Sequence, residues 1–216
     1  MAQWEQAAKK SAPDGQLEKL NWTTPDGIVV KPLYTAQDTQ ALTHADTLPG
    51  FEPFLRGPQA TMYAVRTARA YTGRNGVMKI EGGYHGSYDP LMVSSKPSIA
   101  DAGDDHLPNA VTPYGAVPGE VWVVPYNDAD AIEEIFKKHA KEIACLIMEP
   151  VLENIGIVLP DSGYLERVRE LCTQYDVVLI FDEVKTGLTA GPQGASERLN
   201  VNPDLICLAK SIGGGI

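Results

Sequence analysis

An α/β fold with a mostly parallel sheet and helices on both faces is the class this sequence predicts. Three observations carry it. From about residue 77 onward, short apolar runs rich in β-branched residues recur along the chain. The stretches between them place apolar residues at helical spacing. Several of the runs end directly on an ionisable residue. Strands that alternate with helices pair in parallel, because each helix carries the chain back across a sheet face.

Residues 1–58 stand apart from this pattern. Proline, glycine and threonine are frequent there, and helical periodicity is weak. The stretch "TTPDGIVVKPLYT" accommodates one short strand, and "LPGFEPFLRGPQ" reads as extended, irregular backbone. Such a segment offers too little apolar surface to offset the entropy of ordering it. Residues 1–59 are therefore expected to be mostly irregular and to form a unit distinct from residues 60–216.

The strands follow in order. "VMKI" (Val77–Ile80), "VWVV" (Val121–Val124), "ACLIM" (Ala144–Met148), "VVLIF" (Val177–Phe181) and "LICLA" (Leu205–Ala209) each read as a strand buried on both faces. Between the second and third, Ala131, Ile132, Ile135 and Phe136 fall on one helical stripe. Between the third and fourth, Leu165, Val168, Leu171, Cys172 and Tyr175 do the same. No repeat or low-complexity tract interrupts the series.

Composition narrows the function classes. A net charge of -10 argues against a nucleic-acid partner. "FKKHAK", the nearest approach to a basic patch, reads as the wet face of a helix. Cys145, Cys172 and Cys207 lie far apart within apolar segments and read as core residues, so neither a disulfide framework nor a metal site is expected. The N-terminus has no apolar signal core, and no run is long enough to span a membrane. A cytoplasmic setting is the expectation.

The strand ends carry the chemistry, since ligands of parallel α/β sheets collect beyond the carboxyl ends of the strands. "VVLIF" runs into Asp182 and Glu183, "LICLA" into Lys210, and "ACLIM" into Glu149. Asp182 and Lys210 admit two readings. One is a structural ion pair. The other is a pyridoxal phosphate site, where the lysine amine forms a Schiff base with the aldehyde and the aspartate keeps the pyridine nitrogen protonated. The second reading requires a lysine desolvated enough to act as nucleophile and base.

Four motifs in order decide between them. "EGGYHGSYD" (Glu81–Asp89), "MEPVLENIGIVLP" (Met148–Pro160), "FDEVKTG" (Phe181–Gly187) and "AKSIGGGI" (Ala209–Ile216) together resemble the class III pyridoxal-phosphate aminotransferases, and among them the glutamate-1-semialdehyde aminomutase group. The resemblance covers about residues 60–216. It implies part of the large domain of a fold-type-I pyridoxal-phosphate-dependent transferase, with pyridoxal 5'-phosphate as cofactor. It further implies a small-molecule amino donor and acceptor, and a homodimer that completes the site. Position by position, Lys210 resembles the Schiff-base lysine and Asp182 the partner of the pyridine nitrogen. Val184 and Tyr84 would cover the two ring faces, with His85 beside Tyr84. Glu149 and Asn154 resemble residues near the ring hydroxyl. Gly213, Gly214 and Gly215 would let the backbone turn behind Lys210.

The phosphate loop departs from the family. A small-residue, hydroxyl-bearing loop normally holds the phosphate at a helix N-terminus. Here the helix reads as "ATMYAVRTARAYTGR", Ala60–Arg74, but the loop before it is "RGPQ". Gly57 matches the family, whereas Pro58 removes an N–H donor. Arg56 is the candidate to compensate.

A second resemblance covers about residues 1–66. "NWTTPDGIVVKPLYT" and "LPGFEPFLRGPQATMYAVR" are similar to the N-terminal part of the methylmalonyl-CoA mutase large chain. It implies that Thr61, Met62 and Arg66 match positions lining an acyl-CoA channel. The mutase barrel and cobalamin domain have no counterpart here. The expectation is a chimera with a truncated aminotransferase large domain, its transfer activity impaired and its solubility poor. The alternatives are an acyl-CoA-binding fragment and an inactive one.

Overall fold

The computed structural model describes residues 2–23, 29–31, 60–113 and 120–210. The chain divides into two compact units, Met1–Thr47 and Leu48–Ile216.

The first unit carries more regular structure than its weak periodicity suggests. Helix α1 spans Ala2–Ser11. Its sequence is rich in Ala, Gln, Glu and Lys, which lose little side-chain entropy in a helix, and Lys9 and Lys10 complement the dipole at its end. Short 3-10 turns follow at Pro13–Gly15 and Leu17–Leu20. Strands β1 (Trp22–Thr23) and β2 (Val29–Val30) pair antiparallel, with Trp22 opposite Val30. One of these lies in the stretch expected to hold a strand.

In the second unit, helix α2 spans Ala60–Thr72 and buries Thr61, Val65 and Ala68 on one stripe. Strand β3 follows at Gly76–Ile80, then two one-turn helices, α3 (Asp89–Met92) and α4 (Ile99–Ala102). Strand β4 spans Val121–Val124 and helix α5 Ala129–His139. The Asp128 side chain accepts from the Ala131 N–H and caps α5. Strand β5 (Ile143–Met148), helix α6 (Tyr164–Gln174) and strand β6 (Val178–Asp182) continue the alternation. Two short helices, α7 (Thr186–Thr189) and α8 (Gly194–Arg198), lead to β7 (Leu205–Cys207).

The five strands form one parallel sheet in the order β4-β3-β5-β6-β7. Side-chain alternation divides the core in two. Met78, Ile80, Leu146, Met148, Leu179 and Phe181 pack with α5 and α6. Val77, Cys145, Ile147, Ile180 and Cys207 pack with Val65 and Ala68 of α2. Each fully buried aliphatic chain contributes roughly 1.5–3 kcal/mol. The helical stripes read from the sequence supply the covering residues, with Ile135 and Tyr175 partly buried at the margin.

Two strand expectations need correcting. Central strands β3, β5 and β6 are buried throughout, but β4 and β7 are not. Val121, Trp122 and Leu205 are half-buried, and Ile206 is 46% exposed. Among the described residues each of these strands has a neighbour on one side only, so its outer flank loses cover. The last strand also stops at Cys207 instead of reaching Ala209. Cys145, Cys172 and Cys207 are buried free thiols.

The strand order reverses beside β3. The chain passes from β3 to β4 on one flank, then returns to β5 on the other. Such reversals open a crevice at the carboxyl edge, which is where ligands enter sheets of this kind.

Candidate active site

Asp182 closes β6 and stands in register with Cys207 of β7. Lys210 follows Cys207 shortly after, so the carboxylate and the amine leave neighbouring parallel strands at the same edge. Glu149 follows β5 at that edge, and the turn Glu81–His85 follows β3.

The turn after β3 is pinned from several directions. Gly83 N–H donates to Ile80 O at 3.2 Å, and Gly82 N–H to Ser94 O at 2.8 Å. Asn154 Nδ2 donates to Gly82 O at 2.9 Å, and Thr61 Oγ1 donates to His85 O at 2.5 Å. A Cβ on Gly83 would lie 2.9 Å from His85 Nε2 and 3.1 Å from Ile80 O. Only glycine lets the imidazole fold back this closely.

That fold-back carries His85 to the aspartate. Its Nδ1 lies 2.8 Å from Asp182 Oδ2, and both side chains are buried. A carboxylate only accepts, so Nδ1 carries the proton. The other carboxylate oxygen accepts from Val184 N–H at 3.1 Å. Val184 packs half-buried against the α2-side core, while Tyr84 is 41% exposed. Glu149 is buried, and its Oε2 accepts from Glu153 N–H at 3.2 Å and Lys185 Nζ at 3.3 Å.

Lys210 departs from expectation. It is exposed and adopts a left-handed backbone, φ 52°. The described residues therefore do not supply the desolvation expected of a reactive lysine. Gly57, the rest of the "RGPQ" loop, and Gly213–Gly215 lie outside the described residues. Thr61 is buried at the start of α2, Met62 is half-buried, and Arg66 is exposed with its guanidinium 5.8 Å from the Tyr63 ring centroid.

Glu183 takes another job. Its carboxylate is buried and accepts from Ala195 N–H at 2.5 Å and Ser196 N–H at 2.9 Å, capping α8. Lys79 has no counterpart in the sequence reading. It sits fully buried in β3, its Nζ donating to Gly83 O at 2.8 Å and Val93 O at 2.5 Å. Burial lowers its pKa to about 7, against the opposing pull of Glu81 and Glu149. Burial likewise raises the Glu81 carboxyl, with repulsion from Asp105 adding to it and Lys79 opposing. The signal for Lys79 was present as a charged residue inside an otherwise apolar strand.

The edge fits pyridoxal 5'-phosphate on its own chemistry. Glu149 Oε1 is buried without a hydrogen-bond partner among the described residues. Buried polar atoms left unpaired are costly, and a polar ring bearing donors and acceptors relieves that cost. Asp182 keeps unused lone pairs for a ring N–H.

Comparison with known proteins agrees. Residues 29–216 match the family Aminotransferase class-III, whose members depend on pyridoxal phosphate. Over 160 residues the chain is 46% identical to the glutamate-1-semialdehyde 2,1-aminomutase of Thermomicrobium roseum, covering 74% of this chain and 36% of that protein. Among solved structures it is similar to an omega-transaminase from Sphaerobacter thermophilus, with 39% identity and a TM-score of 0.69 over 74% of this chain and 37% of that one. A transaminase with pyridoxal phosphate bound matches at 36% identity and a TM-score of 0.63, again over 74% of this chain and 37% of the other. The chain thus spans well under half the length of these relatives. By the match over residues 29–216, the chain belongs to the class III aminotransferase family.

Proposed function

We propose that this chain carries the cofactor-holding edge of a pyridoxal-phosphate-dependent amino-group transfer, of the transaminase or 2,1-aminomutase kind. The observation that carries the reading is the buried His85–Asp182 pair, 2.8 Å apart, beside the strand end that bears Lys210. When bound, pyridoxal 5'-phosphate supplies an electron sink that makes the proton on an amino-bearing carbon removable.

The chain's own residues divide the work. Asp182 would accept the ring N–H, and His85, donating to Oδ2, holds the carboxylate in place for it. Tyr84 and Val184 would cover the ring. Glu149 and Asn154 would lie on the side of its hydroxyl. Lys210 would be the residue that holds the cofactor through Nζ, and its amine would take and return the proton at the substrate's amino-bearing carbon. Gly57 is assigned to the phosphate by family resemblance, and Arg56 is the residue that would compensate for the donor lost at Pro58. A small amino donor and acceptor, a homodimer and a cytoplasmic setting belong to the same reading. No helix among the described residues is long and apolar enough to cross a membrane.

The test is spectroscopic. Titration of the purified chain with pyridoxal 5'-phosphate should raise a visible absorption band that Lys210→Ala abolishes. A band of equal size in both proteins sinks the reading, as does none in either.

A second reading concerns the N-terminus. Residues 1–47 form a compact unit of their own, and the mutase resemblance over about residues 1–66 makes a module of separate origin the alternative. The family match nevertheless begins at residue 29, ahead of the expected boundary at residue 59. Measurable binding of an acyl-CoA, lost in Arg66→Ala, would favour this reading; its absence leaves the aminotransferase assignment alone.

A further inference from the structure

Lys79 occupies a position that strand alternation reserves for an apolar residue. Its neighbours on that sheet face are Val77, Cys145, Ile147 and Ile180, all buried. It lies in the interior of the sheet, in register with Val123 of β4 and Ile147 of β5. Placing an amine there is costly, and a well-packed apolar side chain serves a core better. The side chain is therefore retained for what its tip does.

The tip joins two limbs of one segment. Gly83 lies in the turn directly after β3, and Val93 lies beyond helix α3. Nζ donates to the carbonyl oxygens of both, at 2.8 and 2.5 Å. Between these carbonyls run Tyr84 and His85, the two residues the turn delivers to the edge. Glu81 and Glu149 are the carboxylates whose charge acts on the amine.

We propose that Lys79 is a positioning residue for the cofactor edge: by clamping the carbonyls of Gly83 and Val93 it fixes the turn that presents Tyr84 and His85. The inference rests on the amino-transfer reading for what the turn presents, and on the hydrogen bonds alone for the clamp.

The test has two arms on the whole chain. In the first, without cofactor, amide hydrogen exchange is followed in residues 81–94. The wild-type segment should exchange as slowly as β3, and Lys79→Met should speed it about tenfold while α6 stays unchanged. Fast exchange of the segment in the wild type overturns the proposal without any variant, and unchanged exchange in Lys79→Met overturns it too. In the second arm, pyridoxal 5'-phosphate affinity is measured for wild type, Lys79→Met, His85→Ala and the double variant. Lys79→Met should weaken binding about tenfold in the wild-type background and far less in the His85→Ala background, since the lysine acts through that turn. Independent, multiplying losses mean a merely structural lysine and overturn the proposal. Should Lys79→Met fail to fold, Lys79→Gln, which keeps an amide donor, replaces it in both arms and should show the same effects at reduced size. If the wild type binds no cofactor, the amino-transfer reading fails while the exchange arm still decides the clamp.

Discussion

His85 Nδ1 stands 2.8 Å from Asp182 Oδ2, although 97 positions separate the two residues in the chain. The pairing is made by topology. Strand β5 lies between β3 and β6 in the sheet, yet the turn after β3 folds back far enough to reach the end of β6. The contact depends on Gly83, where any Cβ would collide with the imidazole. It gives a buried carboxylate a fixed donor and leaves its remaining lone pairs directed by that donor.

His85→Ala should therefore act twice. Removing the imidazole leaves a buried carboxylate one donor short, which costs about 1–3 kcal/mol of stability. Asp182 also loses its orientation, so pyridoxal 5'-phosphate affinity should fall about tenfold or more. Denaturant unfolding and a visible titration measure the two effects separately. A variant with unchanged affinity would mean that the pair does not orient the aspartate.

Much of this edge was legible in the sequence because strand ends are short-range features. An apolar run followed at once by an ionisable residue marks both the strand and the residue it delivers, and Asp182, Glu149 and Lys210 were read that way. Which partner each residue finds is a long-range matter. Nothing local in "FDEV" says that Asp182 reaches back to His85 while Glu183 turns away to cap a helix. The helix over Ala2–Ser11 escaped for another reason: intrinsic propensity forms it, and its apolar stripe is too faint to read. Lys79 is hard to single out because its strand reads as apolar despite it.

Glu183 gives a contrast with its neighbour. Its carboxylate takes two backbone N–H groups at the start of α8, and a Cβ on Gly194 would lie 2.3 Å from Oε2. Glu183→Ala strands both donors, and about 3 kcal/mol of stability should be lost. Glu183→Gln should lose less. Both variants should still give the Lys210-dependent visible band if they fold, because the carboxylate is taken up by the N–H groups of α8. Loss of that band from a folded Glu183→Gln protein would place the residue in the site instead.

Thr61 ties the first turn of α2 to the same edge through the His85 carbonyl. Thr61→Val keeps the shape and removes the donor, leaving a buried carbonyl unpaired, so about 1–2 kcal/mol should be lost. Thr61→Ser should restore most of it. Equal stability of all three proteins in urea would show that the carbonyl finds another partner.

The buried lysine sets a pH dependence whose sign is fixed by its environment. Its pKa falls from 10.5 to about 7 in the folded chain, with burial as the cause and Glu81 and Glu149 pulling the other way. Between those two values the unfolded chain holds the proton and the folded chain does not. Unfolding then takes up a proton, so stability rises with pH across that window, by at most about 1.4 kcal/mol per pH unit. Glu81, whose pKa burial raises from 4.5, acts with the opposite sign in a window that opens lower. Replacing the amine isolates its share: the stability of wild type relative to Lys79→Met should climb from pH 7 toward pH 10 (roughly the interval between folded and free lysine). Parallel curves for the two proteins would mean that Lys79 keeps its proton in the fold, held there by the two carbonyls it clamps and the carboxylates beside it.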